Sequence, residues 1–143
     1  MSKLFPNAQP RQRAPYRFDI VGSFLRPETL KKARQQCACG EGSAEEADKV
    51  ARNEVHQLVA KEKAVGLPNV TDGEFRRTWW HLDFLFELLG VELQEVDEYV
   101  TQFKAKMHRP VTLKITDKIE FPKAHPFIAH FKALQEEAGD YLV

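Results

Sequence analysis

Two carboxylates and two guanidinium groups crowd one glycine in the stretch Asn69-Val70-Thr71-Asp72-Gly73-Glu74-Phe75-Arg76-Arg77-Thr78-Trp79-Trp80. Charge gathered just after a short apolar run marks a loop that can meet a polar ligand. In a parallel α/β sheet or barrel, the loops at the carboxyl ends of the strands hold the substrate, and a glycine there lets backbone approach it closely. A second step of the same kind, Ile20-Val21-Gly22-Ser23-Phe24-Leu25-Arg26-Pro27, runs from apolar residues into Gly22 and Ser23 and then a helix start. Two such strand ends in one chain imply one shared pocket. Each residue also has an ordinary reading. Glu74 can be a solvated carboxylate paired with Arg76 or Arg77, Ser23 can do no more than open a loop, and Asp72 either shapes the pocket or accepts its own loop amide as an Asx turn. Of the two arginines, Arg77 is the better candidate to hold an anion.

Other chemistry-bearing side chains are less organised. Cys37 and Cys39 supply two thiols at most, whereas a closed zinc site needs four ligands, so no metal is assigned to them. His56 falls within a helical pattern, while His108, His125 and His130 share no common spacing. His81 follows Trp79 and Trp80, which read as anchors at the mouth of a barrel.

The elements that must position these groups can be read from periodicity. Residues 1–17 carry Pro6, Pro10 and Pro15 without an apolar period and read as a flexible arm. Residues 18–21 read as a first strand, and Pro27 opens a helix that stops near Gly40. Ser43-Ala44-Glu45-Glu46 is a capping box. The helix behind it repeats Ala47, Val50, Ala51, Val55, Leu58, Val59 and Val65 at helical spacing, with Gly66 as its cap and Pro68 beyond. A second strand is expected around Val70, giving a parallel crossover. Leu82, Leu85, Phe86 and Leu89 then form a helical face closed by Gly90. Alternation at Tyr99, Thr101, Phe103, Ala105 and Met107, and again at Val111, Leu113 and Ile115, predicts an antiparallel ribbon over about 91–121. A last helix is expected over about 126–138, opened by Pro126 and closed by Gly139.

Composition narrows the function classes. Lys plus Arg and Asp plus Glu number 21 each, so no net field draws the chain to nucleic acid or an anionic membrane. No apolar run approaches the ~18 residues of a membrane span, and a cytoplasmic location is expected from that and from the sparse cysteines. Two strands, a ribbon and amphipathic helices leave too little sheet for the helix faces. The 143 residues therefore read as part of a larger α/β domain, with self-association through uncovered barrel edges as an expectation.

Val21-Gly22-Ser23-Phe24-Leu25-Arg26-Pro27, Gly66-Leu67, Thr71-Asp72-Gly73-Glu74-Phe75-Arg76-Arg77 and Trp80-His81-Leu82-Asp83-Phe84, in that order, resemble the cobalamin-independent methionine synthase family. More narrowly, the chain is similar to the N-terminal portion of the short bacterial branch that has only the catalytic barrel. The resemblance covers residues from about 18 onward and implies the opening portion of a (β/α)8 TIM barrel with an inserted antiparallel ribbon. It implies methyl transfer from a methylated folate to the zinc-bound thiol of homocysteine, a small-molecule substrate, in the complete protein. Coordination keeps such a thiol as the thiolate, which a free thiol of pKa ~8.5 is not at neutral pH. By the same resemblance Gly22 and Ser23 hold the amino-acid carboxylate and Glu74 the ammonium, with Asp72 and Arg77 as further substrate-binding candidates. No catalytic residue and no zinc ligand falls on this chain, which alone is expected to be inactive. Asp72 stands where full-length synthases carry histidine, and this leaves the acceptor thiol open. Two alternatives follow: zinc-dependent alkyl transfer to another thiol, or a truncated, non-catalytic binding module.

Overall fold

The structure, a computed structural model, describes residue 16 and residues 20–95 and 111–143. The arm at 1–15, Phe18, and the alternating stretch from Tyr99 to Met107 lie outside the described residues, as does His108. The chain divides into two compact units, Met1–Phe75 with Leu134–Val143, and Arg76–Ala133.

In the first unit, α1 (Glu28–Ala38) starts directly after Pro27, whose fixed φ suits a helix start, and no described side chain caps it. α2 (Ala44–Ala64) has the capping box that its sequence implies: the Glu46 N–H donates to Ser43 Oγ at 3.1 Å and the Ser43 N–H to Glu46 Oε2 at 2.9 Å. Its inward stripe is Ala51, Val55, Leu58 and Val59, which pack with Leu30 of α1 and with Val70, Phe75, Leu134 and Ala138 into one core. Leu134 and Ala138 come from the last turns of α4 (Pro126–Ala138). Two departures from the apolar pattern matter. Val65 is 75% exposed, and the stripe includes Glu54 and Glu62 at 9% and 2%. The Thr29 hydroxyl donates to Glu54 Oε1, which gives that carboxylate a partner from α1.

The parallel sheet expected from the sequence is not seen in this unit. Ile20 and Val21 carry no strand assignment, and Val21 is 93% exposed. In place of a strand around Val70 there is a single parallel bridge between Asn69 and Leu142, with the Val70 N–H donating to the Leu142 carbonyl at 2.9 Å. Strand pairing needs a neighbour on the hydrogen-bonding side, and the described residues offer this segment only Leu142.

The second unit is built on an antiparallel pair, β1 (Leu89–Glu95) and β2 (Val111–Glu120). The expected helix through Leu89 is cut to one turn, α3 (Leu82–Leu85). Gly90 does not close a helix but sits inside β1, where the register jumps from Leu89 opposite Glu120 to Val91 opposite Ile115. A Cβ on Gly90 would lie 2.5 Å from the Lys118 carbonyl oxygen, and φ is +78°, so the bulge demands glycine. Both faces of the ribbon are largely exposed, Ile115 at 68%. The buried part of this unit surrounds His125, which is 1% exposed and ringed by Phe84, Phe121 and Phe127. The architecture is thus mixed α/β with a two-stranded antiparallel sheet, and a barrel is not among the described elements.

Candidate functional site

The two glycine-containing segments singled out in the sequence meet in the first unit. The Ser23 hydroxyl donates to Glu74 Oε2 at 2.5 Å, the Phe24 N–H to the Gly73 carbonyl at 3.2 Å, and Arg26 Nη2 to the Glu74 carbonyl at 2.8 Å. Fifty residues of sequence separate the partners, yet three contacts hold them in one place. Gly22 is an exposed bend beside Ser23.

The loop itself is wound tightly. Thr71 Oγ1 accepts the Gly73 N–H at 3.0 Å, and Asp72 Oδ1 accepts the Glu74 N–H at 3.0 Å. Asp72 therefore makes the Asx turn, the second of its two readings. Among the described residues Glu74 is the only non-glycine with positive φ, at +57°. Gly73, at φ +59°, is enclosed: an added Cβ would lie 2.6 Å from Leu58 Cδ2 and 3.1 Å from both Phe24 Cβ and Phe75 Cε1. The glycine thus does two things, turning the backbone left-handed and letting the loop sit directly on the core.

Beneath the loop lies a group that sequence reading missed. Glu62 Oε2 accepts the Thr71 N–H at 3.1 Å, while Glu62 Oε1 is buried with no hydrogen-bond partner among the described residues. Burial pushes its carboxyl above the ordinary glutamate range, the hydrogen bonds from Thr71 pull it down, and the charge of Asp72 adds a smaller upward push. Its signal was available: Glu54, Leu58 and Glu62 follow each other at i, i+4 and i+8, on the stripe that carries Ala51, Val55 and Val59. A cleft of about 310 Å³ opens against this stripe, walled by Phe24, Leu58, Val65 and Phe75 and edged by Glu54 and Glu62.

Arg77 belongs to the second unit, where its guanidinium lies 4.9 Å from the centre of the Phe127 ring. Asp83 Oδ2 and Oδ1 there accept the Thr78 and Trp79 N–H groups, holding the segment ahead of α3. Trp80 is 71% exposed and lies against His81. Cys37 and Cys39 are free thiols, and the Cys39 Sγ donates to the Gln35 carbonyl within its own helix end. His56 Nδ1 lies 2.6 Å from Glu137 Oε2 on the surface. Among the described residues no three His, Cys, Asp or Glu side chains converge as metal ligands.

The family model for the cobalamin-independent synthase catalytic domain matches residues 19–128, a span that contains both halves of this loop pair. The chain belongs to the cobalamin-independent synthase family. The uncharacterized proteins YxjG and YxjH of Bacillus subtilis are 43% and 41% identical to it over 130 and 134 residues, covering 91% of the chain. The chain spans only about a third (34%) of the length of these curated relatives. A crystal structure from Listeria monocytogenes, provisionally assigned as a vitamin-B12 independent methionine synthase, is 42% identical with a TM-score of 0.74, over 93% of this chain and 36% of that one. No helix among the described residues is long and apolar enough to cross a membrane.

Proposed function

We propose that this chain forms the amino-acid side of the substrate pocket in a methionine-synthase-type (β/α)8 barrel, with Gly22 and Ser23 facing the carboxylate of homocysteine and Glu74 its ammonium. One observation carries the reading. The amino and carboxylate groups of an α-amino acid flank a single carbon, so the groups that hold them must be neighbours, and Ser23 Oγ and Glu74 Oε2 lie 2.5 Å apart. An ionised carboxylate favours an ammonium partner, and the exposed backbone at Gly22 and Ser23 can present N–H donors to the other end. Membership of the cobalamin-independent synthase family supports a methyltransferase, and the name given to the Listeria protein supports methionine formation.

In the whole protein the reaction moves a methyl group from a methylated folate to the homocysteine sulfur. Zinc, when bound, would keep the homocysteine sulfur deprotonated. The described residues do not assemble a ligand set for it, so no step of this reading runs through the metal. What this chain contributes is orientation: the substrate's polar end is fixed at Ser23 and Glu74 while the thiol points away. Asp72 serves by shaping the loop. A cytoplasmic enzyme acting on a small molecule fits the balanced charge of the chain.

Glu74→Gln tests the assignment, because it keeps the shape and removes the charge. In a complete protein of this family with the same loop, calorimetric titration with homocysteine should show affinity weakened by ~1.5–3 kcal/mol, the range for hydrogen bonds to charged groups. That is about tenfold or more. Unchanged affinity would return Glu74 to the role of a solvated carboxylate.

A further inference from the structure

Glu74 carries an unusual backbone, and the residue best placed to hold it is Arg26. A β-carbon makes positive φ unfavourable, so a non-glycine residue stays there only when its surroundings fix it. Here the fixing is explicit. The Glu74 N–H is taken by Asp72 Oδ1, the carbonyl of the preceding Gly73 by the Phe24 N–H, and the Glu74 carbonyl by Arg26 Nη2 at 2.8 Å. The first of these is local to the loop. The other two are long-range, and the Arg26 bond, from 48 residues away, is the charge-assisted and so the stronger of them.

The base of Arg26 is also restrained. It precedes Pro27, and a residue before proline is confined to extended backbone. Pro27 in turn begins α1, whose Leu30 is fully buried. The guanidinium is thus delivered from a rigid base, half-buried, onto the peptide that sets the direction of the Glu74 side chain. A carbonyl that turns away at this position takes its carboxylate off Ser23.

We propose that Arg26 is the positioning residue of this site, clamping the left-handed Glu74 so that its carboxylate stays beside Ser23 to receive the substrate ammonium. The inference rests on the amino-acid reading above and adds a residue and a mechanism to it.

The test separates the two. A strong intraresidue HN–Hα cross-peak in NMR marks positive φ, and on isotopically labelled chain it reports residue 74 without any ligand. Arg26→Met, which keeps an unbranched apolar stem and removes the donor, should lose that cross-peak. Arg26→Lys, which still offers a charged donor, should retain it. In a complete family protein with the same loops, Arg26→Met should weaken homocysteine binding roughly tenfold, with Arg26→Lys closer to the parent. A cross-peak that persists in a folded Arg26→Met chain overturns the clamp. If the cross-peak responds as expected while the complete parent protein binds no homocysteine, the amino-acid reading falls, and with it the assignment of Arg26 to substrate positioning; only a conformational role is left. Unchanged affinity in Arg26→Met alongside a lost cross-peak likewise overturns the positioning role.

Discussion

The loop around Gly73 and the ribbon of β1 and β2 are both irregular, yet they are held in opposite ways. The loop rests on Leu58, Phe24 and Phe75, and Ser23, Phe24, Arg26, Glu62 and Asp72 hold its polar groups. The ribbon is held by its own backbone ladder, with both faces largely in solvent. The burial that stabilises a small unit is concentrated where the polar residues sit. A site loop seated on a core cannot change its volume or backbone freely, whereas a solvated ribbon can.

Gly73→Ala should therefore be the most damaging substitution. Left-handed backbone without glycine costs about 1–2 kcal/mol, and a methyl forced against Leu58 and Phe24 costs about 1–3 kcal/mol more. A loss of about 2–5 kcal/mol in denaturant unfolding is expected. A near-neutral result would show that the loop floats above the core.

His125→Leu should come next, and it asks whether the second unit has its own equivalent of that core. A backbone N–H can only donate, so His125 Nδ1 accepts from Phe127 at 3.2 Å and the proton sits on Nε2, facing the Phe84 carbonyl at 3.0 Å. Leucine keeps much of the bulk but leaves the Phe127 N–H without its acceptor, at about 1–3 kcal/mol, while the Phe84 carbonyl, on a residue 37% exposed, can turn to water. Hydrogen exchange should quicken at Leu85 and Ile128. If α2 amides quicken equally, the two units unfold as one and the contrast drawn here is one of packing alone.

Glu62→Gln sharpens the contrast through pH. The folded carboxyl binds protons more readily than the unfolded one, so the folded state holds more protons and stability falls as pH rises above the ordinary value of 4.5 toward the raised one. Glutamine retains the acceptor for the Thr71 N–H and has no charge to bury. The variant should match the parent at pH 4 and be the more stable at pH 8, by thermal melting in both buffers. A parent more stable at pH 8 would mean that Glu62 has an ionic partner.

Helix starts were legible because they depend on adjacent residues: Pro27, Ser43 with Glu46, and Pro126 all act through their own first turn. The meeting of the Ser23 and Glu74 segments was legible as two strand ends sharing one pocket, but which atoms meet was not, since no spacing rule connects residues so far apart. The antiparallel ribbon expected over about 91–121 is present as β1 and β2, but the two parallel strands were misread, because a strand is defined by its partner. Val70 has the composition of one and finds a single bridge, and Leu142, which supplies it, lies in a tail with no periodicity to read. Leu89 has the spacing of a helix and the pairing of a strand. Glu54 and Glu62 were missed because an apolar alphabet skips the carboxylates that lie on the same stripe.

Ile115→Thr should have the smallest effect. Ile115 pairs with Val91 in the middle of the ribbon but is 68% exposed, so little apolar area returns to water on substitution. Threonine is also β-branched and suits a strand, which leaves the backbone ladder intact. The expected change is within about 0.5 kcal/mol by denaturant unfolding, the usual span for surface sites. The comparison with Gly73 then sets a residue that combines core contact with left-handed backbone against one that has neither. A loss beyond about 1.5 kcal/mol would place Ile115 in a buried interface, since surface changes rarely reach that size. In that case the ribbon's open face is covered in solution, and self-association measured by light scattering should fall in the variant.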